Sequence, residues 1–154
     1  MLLTKTTFSL FFLSSLFILV SGCVKEEDTT SKVPYARVEI DINTTIENKF
    51  DNPYHHQKYY QNQAGVRYAG YGGVIVTSNA DASWLYAYDL CCPYEAPLKN
   101  ELEVVGVGLK LRCPNCKSEY AIDNGTGRVV SGVATERLKR YIVLKDGSFY
   151  RIRN

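Results

Sequence analysis

Two short cysteine runs limit what this chain can become more than any other feature of it. Asp89-Leu90-Cys91-Cys92-Pro93-Tyr94 and Cys113-Pro114-Asn115-Cys116-Lys117-Ser118-Glu119-Tyr120 hold four of the five cysteines in 154 residues. Each run is flanked by strand-like sequence and carries a Cys-Pro step. Two such loops at one end of a β-domain bring their sulfurs together. Sulfurs so placed hold a metal ion, an iron–sulfur cluster or disulfides.

The rest of the chain supplies the strands. Arg37 to Asn43 alternates polar and apolar residues, the period of a half-buried strand. Gly70 to Thr77 is a β-branched run introduced by glycines, the mark of a buried strand. Ser83 to Leu90 is a strand that leads straight into Cys91. Leu102 to Val105 and Gly108 to Arg112 predict a hairpin around Gly106 that leads into Cys113. Glu119 to Ile122, Arg128 to Val130, Leu138 to Leu144 and Ser148 to Ile152 complete the series, with turns at Asp123 to Gly127 and Lys145 to Gly147. No long helical period occurs. Short strands with regular turns predict an all-β fold, an antiparallel sandwich or barrel. Tyr54 to Gln63 carries the only two histidines, His55 and His56, and reads as a surface segment with amphipathic tyrosines. Adjacent residues on an extended chain face opposite ways, so these two do not easily ligate one ion together.

The first residues belong to export rather than to the fold. Phe8 to Val20 is apolar but too short to span a bilayer, and it has the length of a signal-peptide core. It ends in Val20-Ser21-Gly22-Cys23, which resembles the lipobox of bacterial lipoproteins. That resemblance implies a signal peptide over 1–22 and a lipid on Cys23, hence a membrane partner through an anchor and an oxidising compartment. Residues 23–36 read as lipidated cysteine and polar tether. Lys25-Glu26-Glu27-Asp28 looks like the surface-export signal of some Gram-negative lipoproteins, with a solvated linker as the alternative. The expected location is the outer membrane, facing the periplasm or the cell surface. A formal charge of +2 offers no concentrated basic face for nucleic acid.

From Arg37 to Asn154 the chain resembles the Rieske-type iron–sulfur domain. That family presents Cys-x-His on one loop and Cys-x-x-His on another. Cys92-Pro93-Tyr94 stands at the first motif and Cys113-Pro114-Asn115-Cys116 at the second. Ser118 and Tyr120 fit the positions that follow, Asn124-Gly125-Thr126-Gly127 the glycine-rich turn, and Ser131-Gly132-Val133-Ala134 the last loop. The resemblance implies a Rieske-like all-β domain over 37–154. The departures fall on the ligands: Tyr94 and Cys116 stand where histidines belong. A Rieske centre places two histidines on one iron, and neither loop has one.

The candidate site is therefore Cys91, Cys92, Cys113 and Cys116. One reading is a structural zinc site, with the Cys-x-x-Cys knuckle giving two thiolates and contributing about 10 kcal/mol or more to folding. A second is a metal-free module stapled by disulfides, each worth ~3 kcal/mol in the chain-entropy model. A third is a two-iron two-sulfur (2Fe-2S) cluster with cysteine in place of histidine, serving electron transfer. Cys91 and Cys92 are vicinal and point apart on a strand, so that half of the site is the weaker one. The chain has no Ser-His-Asp order, P-loop or dinucleotide fingerprint, and no catalytic residue is expected. Asp89, Glu95 and Glu119 read as solvated or turn carboxylates. The expected role is structural or binding, with a protein partner whose identity stays open.

Overall fold

The computed structural model describes residues 31–106 and 110–154. The expected signal peptide over 1–22, Cys23 and the acidic run after it lie outside the described residues. Eleven strands follow in order: β1 (Val38–Asn43), β2 (His56–Tyr59), β3 (Val66–Ala69), β4 (Val74–Ser78), β5 (Leu85–Asp89), β6 (Glu103–Val105), β7 (Lys110–Arg112), β8 (Glu119–Ala121), β9 (Val129–Ser131), β10 (Arg140–Asp146) and β11 (Phe149–Arg153). A single 3-10 turn, Asn48–Asp51, interrupts them. The fold is all-β and antiparallel, as the short strands and turns predict.

The strands form two sheets. One has seven strands in the order β2-β4-β5-β10-β11-β1-β3, the other four in the order β6-β7-β8-β9. The alternation in β1 works as expected: Val38, Ile40 and Ile42 are buried. All seven strands of the large sheet send side chains into one cluster. Ile40, Ile42, Val74, Val76, Leu85, Ala87, Tyr141, Tyr150 and Ile152 meet there, with Val66 and Val143 packed against it. A flat sheet cannot aim both its edge strands at one cluster, so this sheet curls around its core.

β4 explains how the second sheet attaches. All five of its residues are buried. Val74 and Val76 point into the large sheet's core, while Ile75 points the other way into a second cluster with Tyr88, Leu90, Leu102, Leu111, Tyr120, Ile122 and Leu138. A strand buried on both faces reads as a continuous apolar run, which is why Val74-Ile75-Val76 lacks alternation. Each fully buried Ile or Leu here stabilises by about 1.5–3 kcal/mol. Cys92 and Cys113 belong to this second cluster.

Two segments differ from expectation. His56–Tyr59, read as part of a surface segment, is an edge strand paired with β4 from His56↔Thr77 to Tyr59↔Val74. Tyr59 is buried and its hydroxyl donates to Glu47 at 2.7 Å. Its polar neighbours hid the strand, because an edge strand needs only one buried residue in two. Ahead of β1, Lys32 to Pro34 lie on the domain. Val33 is buried, and Lys139 Nζ donates to the carbonyls of Val33 and Pro34 at 3.4 and 2.8 Å. Lys139 is thus a docking residue rather than a freely exposed one.

Candidate metal centre

β5 delivers the first cysteine loop, and Asp89 at its end sets the loop's direction. Asp89 is fully buried. Its Oδ1 accepts from the N–H of Cys91 at 2.8 Å and of Gly72 at 3.1 Å. Its Oδ2 accepts from the Tyr71 N–H at 2.9 Å and the Tyr141 hydroxyl at 2.5 Å. The expectation of a solvated carboxylate is corrected: a buried carboxylate is tolerated because four donors replace its water. At Gly72 a side chain would meet Cys91 N at 2.7 Å, so the 70–73 loop can close on the cysteine loop only with glycine there. The loop's base is closed by the Cys91↔Glu101 bridge and by Cys92 N donating to Asn100 O at 3.1 Å.

The small sheet delivers the second loop between β7 and β8. Cys113 N donates to Ser118 O at 3.0 Å and Lys117 N to Cys113 O at 3.1 Å, which closes a tight knuckle over Cys113 to Cys116. Lys117 takes φ +61° to send the chain back into β8. Ser118 is buried, and its Oγ accepts the N–H groups of Val133 and Ala134 at 3.1 and 3.0 Å. Cys116 Sγ lies 3.4 Å from the same oxygen. Gly132 is obligatory for this contact, since a Cβ there would lie 2.4 Å from Ser118 Cα.

The two loops bring three sulfurs together. Cys92, Cys113 and Cys116 Sγ all lie within 4.8 Å of one another, and Cys92 and Cys116 Sγ are 3.8 Å apart. Cys92 and Cys113 are fully buried, while Cys116 is partly exposed at the rim. Cys91, the remaining candidate, is placed elsewhere. Its Sγ turns to Leu98 O at 3.3 Å, opposite to its neighbour as the pleat requires. Tyr94, at the first histidine position of the Rieske pattern, is 47 % exposed.

Several groups around the sulfurs were not assigned a role from sequence. The Tyr120 hydroxyl, fully buried, lies 3.6 Å from Cys92 Sγ. The Glu95 backbone favours the ionised form of Cys92, against the larger effect of burial. The Glu95 carboxylate accepts from Asn115 Nδ2 at 2.8 Å and Asn100 Nδ2 at 3.2 Å, so Glu95 ties the first loop to the second. Glu119 binds Lys110 at 3.2 Å and Arg112 Nε at 2.9 Å across β7 and β8. Only Ser118 and Tyr120 had a sequence signal, their positions in the Rieske pattern. The Glu95–Asn115 contact joins residues twenty apart and leaves no local pattern.

Burial and hydrogen bonding act differently on Cys91, Cys92 and Cys116. Burial pushes Cys92 up to about 12 and Cys91 up to about 11. Burial also opposes ionisation of Cys116, but hydrogen bonds from the Ser118 hydroxyl and N–H, then from Cys113 and Cys92, outweigh it and hold Cys116 below the ordinary thiol value. A bound cation would displace the protons that these sulfurs carry.

The donor set suits a single ion. Zinc–sulfur bonds of about 2.3 Å at tetrahedral angles place two sulfurs ~3.8 Å apart. The Cys92–Cys116 separation matches that edge. A two-iron cluster divides four protein donors between two metals, and the Rieske pattern puts Cys92 and Cys116 on different irons. These two sulfurs instead sit one tetrahedral edge apart, and Tyr94 faces solvent. The residues present do not fit a two-iron cluster.

No model of a known protein family matches the chain, and no curated protein matches it. Among solved structures it is similar to the cyanobacterial plasma membrane Rieske protein PetC3 from Synechocystis PCC 6803, at 18 % identity and a TM-score of 0.48, over 77 % of this chain and 99 % of that one. In its own residues the domain is all-β, with two Cys-Pro loops that meet.

Proposed function

We propose that this domain binds one thiophilic metal ion, zinc in the first instance, through Cys92, Cys113 and Cys116, and that the ion locks the two loops together in a structural or binding role. The observation that carries this reading is the convergence of three thiols from two separate loops to within 4.8 Å. Thiolates select zinc or copper(I) over harder cations. Binding of the ion is coupled to folding because the unfolded chain holds no such site. Cys23 carries the lipid in this reading, and the domain works as a lipoprotein at the outer membrane. The lipobox-like Val20-Ser21-Gly22-Cys23 supports the anchor.

The test is the metal and thiol content of the purified full chain, prepared from an oxidising and from a reducing compartment. Zinc near one equivalent, lost in Cys113→Ser, is the expected result. Iron with acid-labile sulfide and visible colour overturns it in favour of electron transfer. Absence of both metal and free thiols overturns it in favour of disulfide staples.

A further inference from the structure

We infer that the metal site keeps its fourth coordination position open to solvent, and that a neutral nitrogen donor from outside the chain, an imidazole, takes it. This rests on the metal-site reading above.

A tetrahedral ion needs four donors, and the loops bring three. Among the described residues no fourth cysteine, histidine or carboxylate joins the group. The near candidates are each committed elsewhere. The sulfur of Cys91 faces Leu98 O, and its N–H is fastened to buried Asp89, so turning it inward would rebuild the loop. The Glu95 carboxylate is held by Asn100 and Asn115. The Tyr120 hydroxyl lies 3.6 Å from Cys92 Sγ, and burial together with the neighbouring sulfurs pushes its pKa up, away from the phenolate a metal would need.

The open vertex faces outward. On the inner side Cys92, Cys113 and Tyr120 are fully buried. Outside, Cys116 is partly exposed, Pro114, Asn115 and Lys117 are exposed, and Tyr94 and Val133 are 47 % and 58 % exposed. Charge selects the ligand. Three thiolates already exceed the charge of a divalent ion by one. A fourth thiolate would add another negative charge beside a buried, low-dielectric wall, where repulsion is strong. A neutral imidazole completes the tetrahedron without that cost and is a ligand zinc accepts beside sulfur.

Cobalt(II) replaces zinc as a coloured probe in the purified full chain. Thiolate-to-cobalt charge-transfer bands report the three sulfurs, and the visible ligand-field bands report the fourth ligand. Imidazole titrated into the cobalt protein is expected to shift the ligand-field bands with saturation while the charge-transfer bands persist. The same response is expected in Cys91→Ser. A histidine-containing tripeptide is the second arm: binding at least tenfold tighter than imidazole points to a protein-borne histidine, and equal binding to a small-molecule donor. Absence of charge-transfer bands would sink the metal-site reading itself. Bands that form but ignore imidazole overturn this inference alone, and an imidazole response gained only in Tyr120→Phe or Cys91→Ser names the internal ligand that fills the position. Loss of the charge-transfer bands on adding imidazole also overturns it, because the ion is then extracted.

Discussion

The large sheet and the small sheet both have a buried apolar cluster, yet they are built to different standards. In the large sheet β1, β10 and β11 run for six, seven and five residues and pair along most of that length. In the small sheet β6, β7, β8 and β9 have three residues each, and β9 pairs through a register shift. Strands that short do not hold a sheet by themselves. The small sheet borrows its core from Ile75 and Tyr88 of the large one, and two of its core side chains are the sulfurs Cys92 and Cys113. The large sheet is thus a self-sufficient support. The small sheet is a loop carrier whose order depends on what its sulfurs bind.

Removing the metal is the strongest way to break this comparison. With zinc at a thousand times its Kd, the holo chain is expected to be about 4 kcal/mol more stable than the stripped chain. Hydrogen exchange should place the loss: amides of Leu111 and Tyr120 lose protection first, while those of Ile40 and Ile152 keep theirs. Uniform loss across both sheets would show that they are one cooperative unit and that the contrast is false.

Asp89 joins the two regions, and its removal ranks next. Asp89→Ala leaves three N–H groups and the Tyr141 hydroxyl without their acceptor, at about 3 kcal/mol or more in denaturant unfolding. The variant should also bind zinc more weakly, since Cys91 and with it Cys92 lose their anchor. Stability lost with unchanged zinc affinity would show that the loop is placed by its own turns.

Tyr120→Phe sharpens the picture more gently. It removes one hydroxyl facing Cys92 and keeps the ring in the small sheet's core, so about 1 kcal/mol is expected, with the fold intact. No change in thermal unfolding would mean the hydroxyl has no bond worth counting.

The smallest effect is a pH dependence confined to the small sheet. Hydrogen bonds from Arg112, then Lys110, hold Glu119 below its ordinary carboxyl range. A depressed folded-state pKa contributes stability above the unfolded value and loses it as pH falls through the folded one. In the metal-free chain, protection of β7 and β8 should weaken below the usual carboxylate range, and Glu119→Gln should flatten that slope. An equal slope in the variant would assign it to other groups.

Much of the fold was legible in the chain because its signals are local. Alternation in Arg37 to Asn43, the apolar run at Val74 and the Asp123 to Gly127 turn each announce themselves within a few residues. β2 was not legible, since an edge strand with one fully buried residue lacks the apolar period. Asp89 was misread for a related reason: a carboxylate looks solvated until its partners, Tyr141 among them, arrive from distant sequence.

By itself the sequence determined an all-β domain with two Cys-Pro loops and no histidine in either, because strand period, turn residues and ligand identity are written residue by residue. Only the tertiary structure decided that three sulfurs meet and the fourth turns away. The pleat sends Cys91 and Cys92 to opposite sides, and which side faces the second loop depends on how β4 and β5 pack against the small sheet.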